Sequence, residues 1–154
     1  MDSTVIFDPA SRAALGRRVT QTELSAFAEV LSWRVAKDRA FDCLVTGDAE
    51  LRRLNRQFRR ENRATDVLSF PSQANGPALP ETMGELAISA DRALKQAREH
   101  GHSLGDELRI LMLHGVLHLM GFDHEDDEGE MARIEARWRQ QLRLPQGLIE
   151  RARQ

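Results

Sequence analysis

The sequence predicts a single domain, residues 1–154, of the α+β or α/β class with a small mixed sheet. Segments with the periodicity of strands alternate along the chain with segments that have the periodicity of helices, and such interleaving is typical of these classes. A length of 154 residues fits one domain, since domains usually contain about 100–150 residues. The hydrophobic fraction of 41 % and the charged fraction of 30 % exclude a disordered chain.

Four short apolar segments predict the strands. They cover residues 4–7, 41–46, 66–70 and 85–89. In the last of these segments Leu86 and Ile88 occupy alternate positions, so both should face the core. Residues 71–82 contain three prolines and one glycine and therefore predict a loop.

Five segments predict helices, and capping residues define the first three. The first helix begins after Thr20 and ends near residue 37, with four apolar residues at helical spacing: Leu24, Phe27, Leu31 and Val35. The second is expected to be capped by Asp48 and to have an apolar stripe of three residues: Leu51, Leu54 and Phe58. The third is expected to be capped by Ser89 and ended by Gly101.

The last two helices differ in how much of their surface is apolar. Residues 104–120 are apolar on nearly every face in their second half, so this helix should be central and buried, with Gly121 placed to end it. The fifth helix begins near residue 127 and has apolar residues on one face: Met131, Ile134, Trp138 and Leu142.

The sequence gives no indication of a membrane or secreted protein. The longest uncharged run, residues 110–122, is shorter than the roughly 20 residues that a membrane span needs. The first residues lack the basic and apolar regions of a secretory signal. Cys43 is the only cysteine, so a disulfide within the chain is impossible and a cytoplasmic location is expected.

Three of the five histidines, His114, His118 and His124, lie within eleven residues. Four residues turn a helix by about 400°, so His114 and His118 should share one face, and a reversal at Gly121 would return His124 to the helix end. A lone histidine in an apolar wall usually bonds a backbone carbonyl, but three with this spacing indicate a Zn²⁺ site with one position left for water. His100 and His102 lie in a polar setting and are predicted to be surface residues.

One position separates this string from that of the metalloproteases. Histidines at the first, fifth and eleventh places with glycine at the eighth match the long metzincin string. Metalloproteases have a glutamate general base after the first histidine, whereas Gly115 stands there in this sequence and cannot accept a proton. The pattern therefore predicts zinc and argues against standard peptide hydrolysis.

The string His114-Gly-Val-Leu-His118-Leu-Met-Gly-Phe-Asp-His124 resembles the signature of the YbeY family, bacterial endoribonucleases of rRNA maturation. Two upstream blocks resemble other parts of that family. They are LNRQFR at 54–59 followed by TDVLSFP at 65–71, and MGELAIS at 83–89. The resemblance covers about residues 45–138, which is most of the chain.

The resemblance implies an α+β fold with a four-stranded mixed sheet and one zinc ion on His114, His118 and His124. It implies metal-dependent cleavage of single-stranded RNA, with roles in 3′-end maturation of small-subunit rRNA and in ribosome quality control. The family's groove arginine corresponds to Arg59, which follows Leu-Asn-x-x and an aromatic residue. The resemblance also suggests partners: the small ribosomal subunit, a small-subunit ribosomal protein and the GTPase Era.

The sequence departs from the family pattern at three places. Phe58 stands where tyrosine is usual, Arg63-Ala64 replaces a common Lys-Pro, and Glu85 replaces the usual aspartate. None of these departures affects the three histidines that the resemblance assigns to the metal.

Six arginines between residues 51 and 63 make this segment strongly basic. At 100° per residue, Arg52, Arg56, Arg59 and Arg60 fall opposite the apolar stripe of the second helix. Such a face is either an ordinary solvated surface or a stripe that binds RNA phosphates. We assign Arg59 to the scissile phosphate and Arg56, Arg60 and Arg63 to RNA binding, and we assign no general base, although Asp123 could orient a histidine.

Two other functions compete with the ribonuclease. The metzincin-like spacing also fits a zinc hydrolase of the metalloprotease type, which Gly115 disfavours. A ribosome-assembly factor with a structural zinc would need a fourth protein ligand, for which Cys43 is the only thiol.

Overall fold

The structure is a computed structural model that describes residues 2–59, 65–72, 82–122 and 129–146. Strands and helices are interleaved along the chain, in agreement with the predicted α+β fold. In chain order they are β1 (Thr4–Phe7), α1 (Pro9–Leu15), α2 (Gln21–Arg34), β2 (Ala40–Thr46), α3 (Asp48–Arg59), β3 (Val67–Pro71), β4 (Thr82–Ser89), α4 (Ala90–His100), α5 (Leu104–Leu119) and α6 (Glu130–Gln141).

The four strands form one mixed sheet in the order β1-β2-β4-β3, as the resemblance implied. β1, β2 and β4 are parallel, whereas β3 is an antiparallel edge strand beside β4. The pairing places four residues in one row across the sheet: Val5, Cys43, Leu86 and Ser69. Since paired residues point to the same side of a sheet, this row defines one face.

Helices cover the two faces of the sheet unequally. The face of Val5, Cys43 and Leu86 packs with residues of α2 and α5 in the main core, and Leu86 and Ile88 point inward as predicted. On the opposite face α3 packs Leu51 over Leu68 and Ala87. The β1 end of that face is open, and the Ile6 side chain there is 52 % exposed.

Helix α5 lies in the middle of the core, as its sequence predicted. Twelve of its sixteen residues are buried, among them Leu108, Met112 and Leu117. The predicted apolar face of α6 also packs against the core, with Met131 fully buried and Ile134, Trp138 and Leu142 partly buried.

Side-chain caps fix where the helices begin and end. The hydroxyls of Thr20 and Ser89 accept from the backbone N–H of Glu23 and Arg92, both at 3.1 Å, as predicted. Gly101 ends α4 in the left-handed conformation with φ of 70°. The short helix α1 was not predicted, although Asp8 caps it through the Ser11 N–H at 2.7 Å and Pro9 follows at the first helical position.

Several sequence-based details are wrong. Asp48 does not precede α3 but is its first residue, and its carboxylate accepts from the Ser89 hydroxyl at 2.6 Å. Phe58 is 59 % exposed instead of buried, because it meets the sheet only at the edge strand, where its ring contacts that of Phe70. β3 runs one residue further than predicted and includes Pro71, which an edge strand tolerates. Most of the predicted loop at 71–82 lies outside the described residues.

The described helices include none with the length and apolar character needed to cross a bilayer.

Candidate metal centre

Two of the three histidines singled out in the sequence come together on α5. Ser103 caps this helix through the Asp106 N–H at 3.0 Å, and the helix then runs through the core to Leu119. The His114 and His118 rings have centroids 4.7 Å apart, and their Nε2 atoms face each other at 3.1 Å. Two nitrogens bound to one tetrahedral zinc ion at 2.0–2.1 Å are about 3.3 Å apart, so this spacing fits a shared ion.

The two imidazoles form a polar patch on a helix that is otherwise buried. Both neighbours of His114 in the chain, Leu113 and Gly115, are buried, whereas the His114 side chain is 25 % exposed. The Nε2 atoms therefore lie where the core meets solvent, which gives an ion or a substrate access to them.

Glu135 on α6 binds the far side of the His114 ring. Its Oε1 lies 2.5 Å from His114 Nδ1, and its Oε2 accepts from Arg139 Nη2 at 3.0 Å. Glu135 is 1 % exposed and the Arg139 side chain 5 %. A carboxylate only accepts, so Nδ1 carries the proton, and in the neutral ring Nε2 of His114 then has the lone pair that a metal needs.

Sequence reasoning did not identify Glu135, although a signal was present. Glu135 and Arg139 are four residues apart and interrupt the apolar face that begins with Met131. Charged residues on a buried helix face are rare unless they are paired. That interruption could have marked the two positions, but only the packing of α6 on α5 shows which histidine they meet.

Gly115 occupies the place of the metalloprotease general base because the sheet leaves no room for a side chain there. A Cβ on Gly115 would lie 2.7 Å from Leu86 Cδ2 and 3.2 Å from Val67 Cγ2. The position therefore faces the sheet and not the imidazoles.

The end of α5 has the turn that the sequence predicted. Gly121 adopts φ of 100°, and the Phe122 N–H donates to the Leu117 carbonyl at 3.1 Å. The chain leaves the helix beside His118. His124 and Asp123 lie outside the described residues, so their positions relative to the two imidazoles stay predictions.

The basic helix α3 borders a groove with β2, β3 and β4, on the sheet face that α3 covers. Leu54, Phe58 and Phe70 line the groove, whose volume is about 770 Å³. Arg52 and Arg56 are exposed, while Arg53 forms an ion pair with Glu50. For Arg59 only the backbone is described, and Arg60 and Arg63 lie outside the described residues.

A second group of histidines lies at the beginning of α5, where the prediction of surface residues is wrong for His102. Its side chain is 6 % exposed, and its Nε2 lies 2.8 Å from Oε2 of the fully buried Glu107. Burial raises the pKa of Glu107, although His102 opposes this shift. With the half-buried His100, these residues have ligand atoms within 4.8 Å of one another and could hold a metal ion.

Cys43 does not have the properties of a zinc ligand. It lies in the sheet row between Val5 and Leu86 and is 2 % exposed. Burial, followed by the nearby Asp42 carboxylate, raises the pKa of its thiol to about 12. Zinc binds the thiolate, so this environment disfavours ligation.

A protein-family model matches most of the chain. The family model described as "Endoribonuclease YbeY" matches residues 12–143. The chain belongs to the YbeY endoribonuclease family. The match includes α3, the groove and both histidines of α5.

Individual YbeY relatives are similar over most of their length. The Endoribonuclease YbeY of Solibacter usitatus is 60 % identical over 128 residues, which are 83 % of each chain. That of Koribacter versatilis is 58 % identical over 108 residues, covering 70 % of this chain and 68 % of the relative. A protein of Thermotoga maritima with a solution structure has a TM-score of 0.56 at 26 % identity, with 88 % of this chain and 85 % of that chain covered.

Proposed function

We propose that this protein is a zinc-dependent endoribonuclease that cleaves single-stranded RNA. Its role would be 3′-end maturation of small-subunit rRNA and ribosome quality control. The observation that carries the proposal is the pair of facing Nε2 atoms of His114 and His118 in a member of the YbeY endoribonuclease family.

The ligands would be His114, His118 and His124. The donor set fits zinc, because Glu135 contacts Nδ1 of His114 and Nε2 of His114 faces Nε2 of His118. When bound, the ion would lower the pKa of a water molecule or polarise a phosphoryl oxygen. Three histidines would leave one coordination position for water or substrate.

The arginines of α3 and of the segment after it would bind the RNA. Arg59 would hold the scissile phosphate and stabilise charge on its oxygens. Arg56, Arg60 and Arg63 would contact neighbouring phosphates. The exposure of Arg52 and Arg56 on α3 supports this assignment, since guanidinium groups bind phosphate oxygens bidentately.

The cellular setting follows from the proposed substrate. Residues 1–154 would act as one domain in the cytoplasm, on rRNA in the small ribosomal subunit. A small-subunit ribosomal protein and the GTPase Era would be protein partners.

The structure bears on both competing functions. A peptide hydrolase would need a general base after His114, and Leu86 and Val67 occupy the space that a side chain at Gly115 would need. An assembly factor with a structural zinc would need a fourth ligand, and the buried thiol of Cys43 is unsuited to that role.

The test is cleavage of an end-labelled single-stranded RNA, with duplex RNA of the same sequence as the specificity control. His114→Ala and His118→Ala should lose both cleavage and bound zinc. His100→Ala, the same change at a half-buried histidine of the other group, should retain cleavage and the zinc ion that His114→Ala loses. Equal cleavage by His114→Ala would refute the site, and inactive wild-type protein with bound zinc would favour the assembly factor.

A further inference from the structure

We propose that Glu135 is a positioning residue that fixes the His114 ring, and the proton on it, for metal binding. The inference rests on the proposed function, because it takes His114 as a ligand. It concerns α6, which contributes none of the three histidines.

The carboxylate of Glu135 is fixed at both oxygens. Oε1 meets His114 Nδ1, and Oε2 meets Nη2 of Arg139 one helical turn further along α6. All three groups lie between α5 and α6, and Glu135 is 1 % exposed. A buried carboxylate with two such contacts cannot rotate without leaving a charge uncompensated.

Arg139 forms the ion pair that holds Oε2 of Glu135. The Arg139 side chain is 5 % exposed, so it has little room to leave this carboxylate. The contact keeps Oε2 of Glu135 turned away from His114.

The consequence for His114 is a fixed tautomer. With Glu135 as an acceptor at Nδ1, the ring proton stays on Nδ1 and the lone pair stays on Nε2, 3.1 Å from Nε2 of His118. A glutamine at position 135 has one oxygen and one NH₂ group. If its oxygen accepts from Arg139, its NH₂ faces Nδ1 and drives the proton to Nε2, where it blocks metal binding.

The first test reads the tautomer directly in metal-free protein. Long-range ¹H–¹⁵N spectra of the histidine rings should show the Nδ1–H form of His114 in the wild type. Glu135→Gln should shift His114 towards the Nε2–H form. Glu107→Gln, the same change at another buried glutamate, whose carboxylate contacts His102, should leave His114 unchanged. An unchanged His114 tautomer in Glu135→Gln would overturn the proposal.

The second test measures the affinity for zinc by competition with a chromophoric chelator. The affinity that is compared is that of the zinc ion lost in His114→Ala, and not that of an ion bound at His100, His102 and Glu107. Loss of an outer partner of a histidine ligand usually weakens metal binding about 10–100-fold, and we expect Glu135→Gln to fall in this range. Glu107→Gln should bind that ion as tightly as the wild type. Equal affinities in all three proteins would contradict a positioning role.

A double variant keeps the proposal testable if Glu135→Gln does not fold. Glu135→Leu with Arg139→Met replaces the buried ion pair by apolar side chains of similar volume, a change that proteins often tolerate. It should fold, lose the Nδ1–H preference of His114 and bind zinc about 10–100-fold more weakly. Neither readout depends on RNA cleavage. A wild type that binds zinc but does not cut RNA would refute the ribonuclease and leave this inference standing.

Discussion

The hydroxyl of Ser69 donates a hydrogen bond to the carbonyl oxygen of Gly115 at 3.0 Å, and both residues are buried. Ser69 belongs to β3, the edge strand that lines the groove, and Gly115 follows His114 on α5. The bond therefore joins the wall of the groove to the helix that carries the two histidines. This hydrogen bond helps to hold β3 at a fixed distance from α5, although the two segments are far apart in the sequence.

Ser69→Ala should lower the free energy of unfolding by about 1 kcal/mol, because a buried hydrogen bond is lost. Urea denaturation would measure the change. Ser72→Ala, on an exposed residue just after β3, should change stability by less than about 0.5 kcal/mol. Equal effects of the two variants would show that the Ser69 bond contributes nothing.

In Gly115→Ala, overpacking should lower the free energy of unfolding by about 1–3 kcal/mol. The higher helix propensity of alanine should offset about 1 kcal/mol of this loss. The added methyl group would lie 2.7 Å from Leu86 Cδ2. In a Leu86→Ala background the same substitution should cost less or become neutral, since only the 3.2 Å approach to Val67 Cγ2 then remains. A cost that does not depend on the residue at position 86 would contradict this account.

Asp8 should make stability depend on pH in the acid range. Burial raises the pKa of Asp8, but hydrogen bonds from the Thr46 hydroxyl and from Ser11 outweigh it and lower the pKa below 3.8. The charged form is thus favoured in the folded protein, so its contribution is present above the unfolded pKa and is lost as the pH falls through the folded pKa. The stability difference between wild type and Asp8→Asn should shrink below about pH 3.8. A difference that is constant with pH would argue against this role.

Arg56→Ala should weaken binding of single-stranded RNA and reduce its dependence on salt. Each phosphate contact on a single strand contributes about 0.7 to the slope of log K against log salt concentration. Titrations between low and physiological salt would measure both effects. Arg17→Ala, another exposed arginine, is the control and should leave the slope unchanged. An unchanged slope in Arg56→Ala would make the α3 face an ordinary solvated surface.

Cys43→Ala should leave the zinc content of the protein unchanged, because the buried thiol is not expected to bind metal. Its cost in stability should be about 1 kcal/mol, typical of a small buried deletion. Elemental analysis beside His118→Ala gives the comparison. Loss of zinc from Cys43→Ala would revive the structural-zinc alternative.

The sequence allows much of this fold to be predicted where the information is local. The alternation of Leu86 and Ile88 gives the inward face of β4, and the four-residue spacing of His114 and His118 places them on one side of α5. Capping by Thr20 and Ser89 depends only on residues three positions ahead, so these helix starts were predictable.

The remaining features depend on packing between distant segments. The burial of His102 could not be foreseen from its polar neighbours, because it follows from the contact with Glu107. Likewise, α6 must lie on α5 before Glu135 meets His114, and Phe58 is exposed because β3 ends the sheet. Seven residues of α1 give too short a pattern to separate a helix from a turn.

The central position of α5 determines how this protein can respond to a substrate. Because most of α5 is buried in the core, we expect the backbone amides around His114 to exchange hydrogens only when that core opens. A change in the spacing of the backbone positions of His114 and His118 would disturb the core around α5. Adaptation to the shape of a substrate would therefore come from the periphery of the domain.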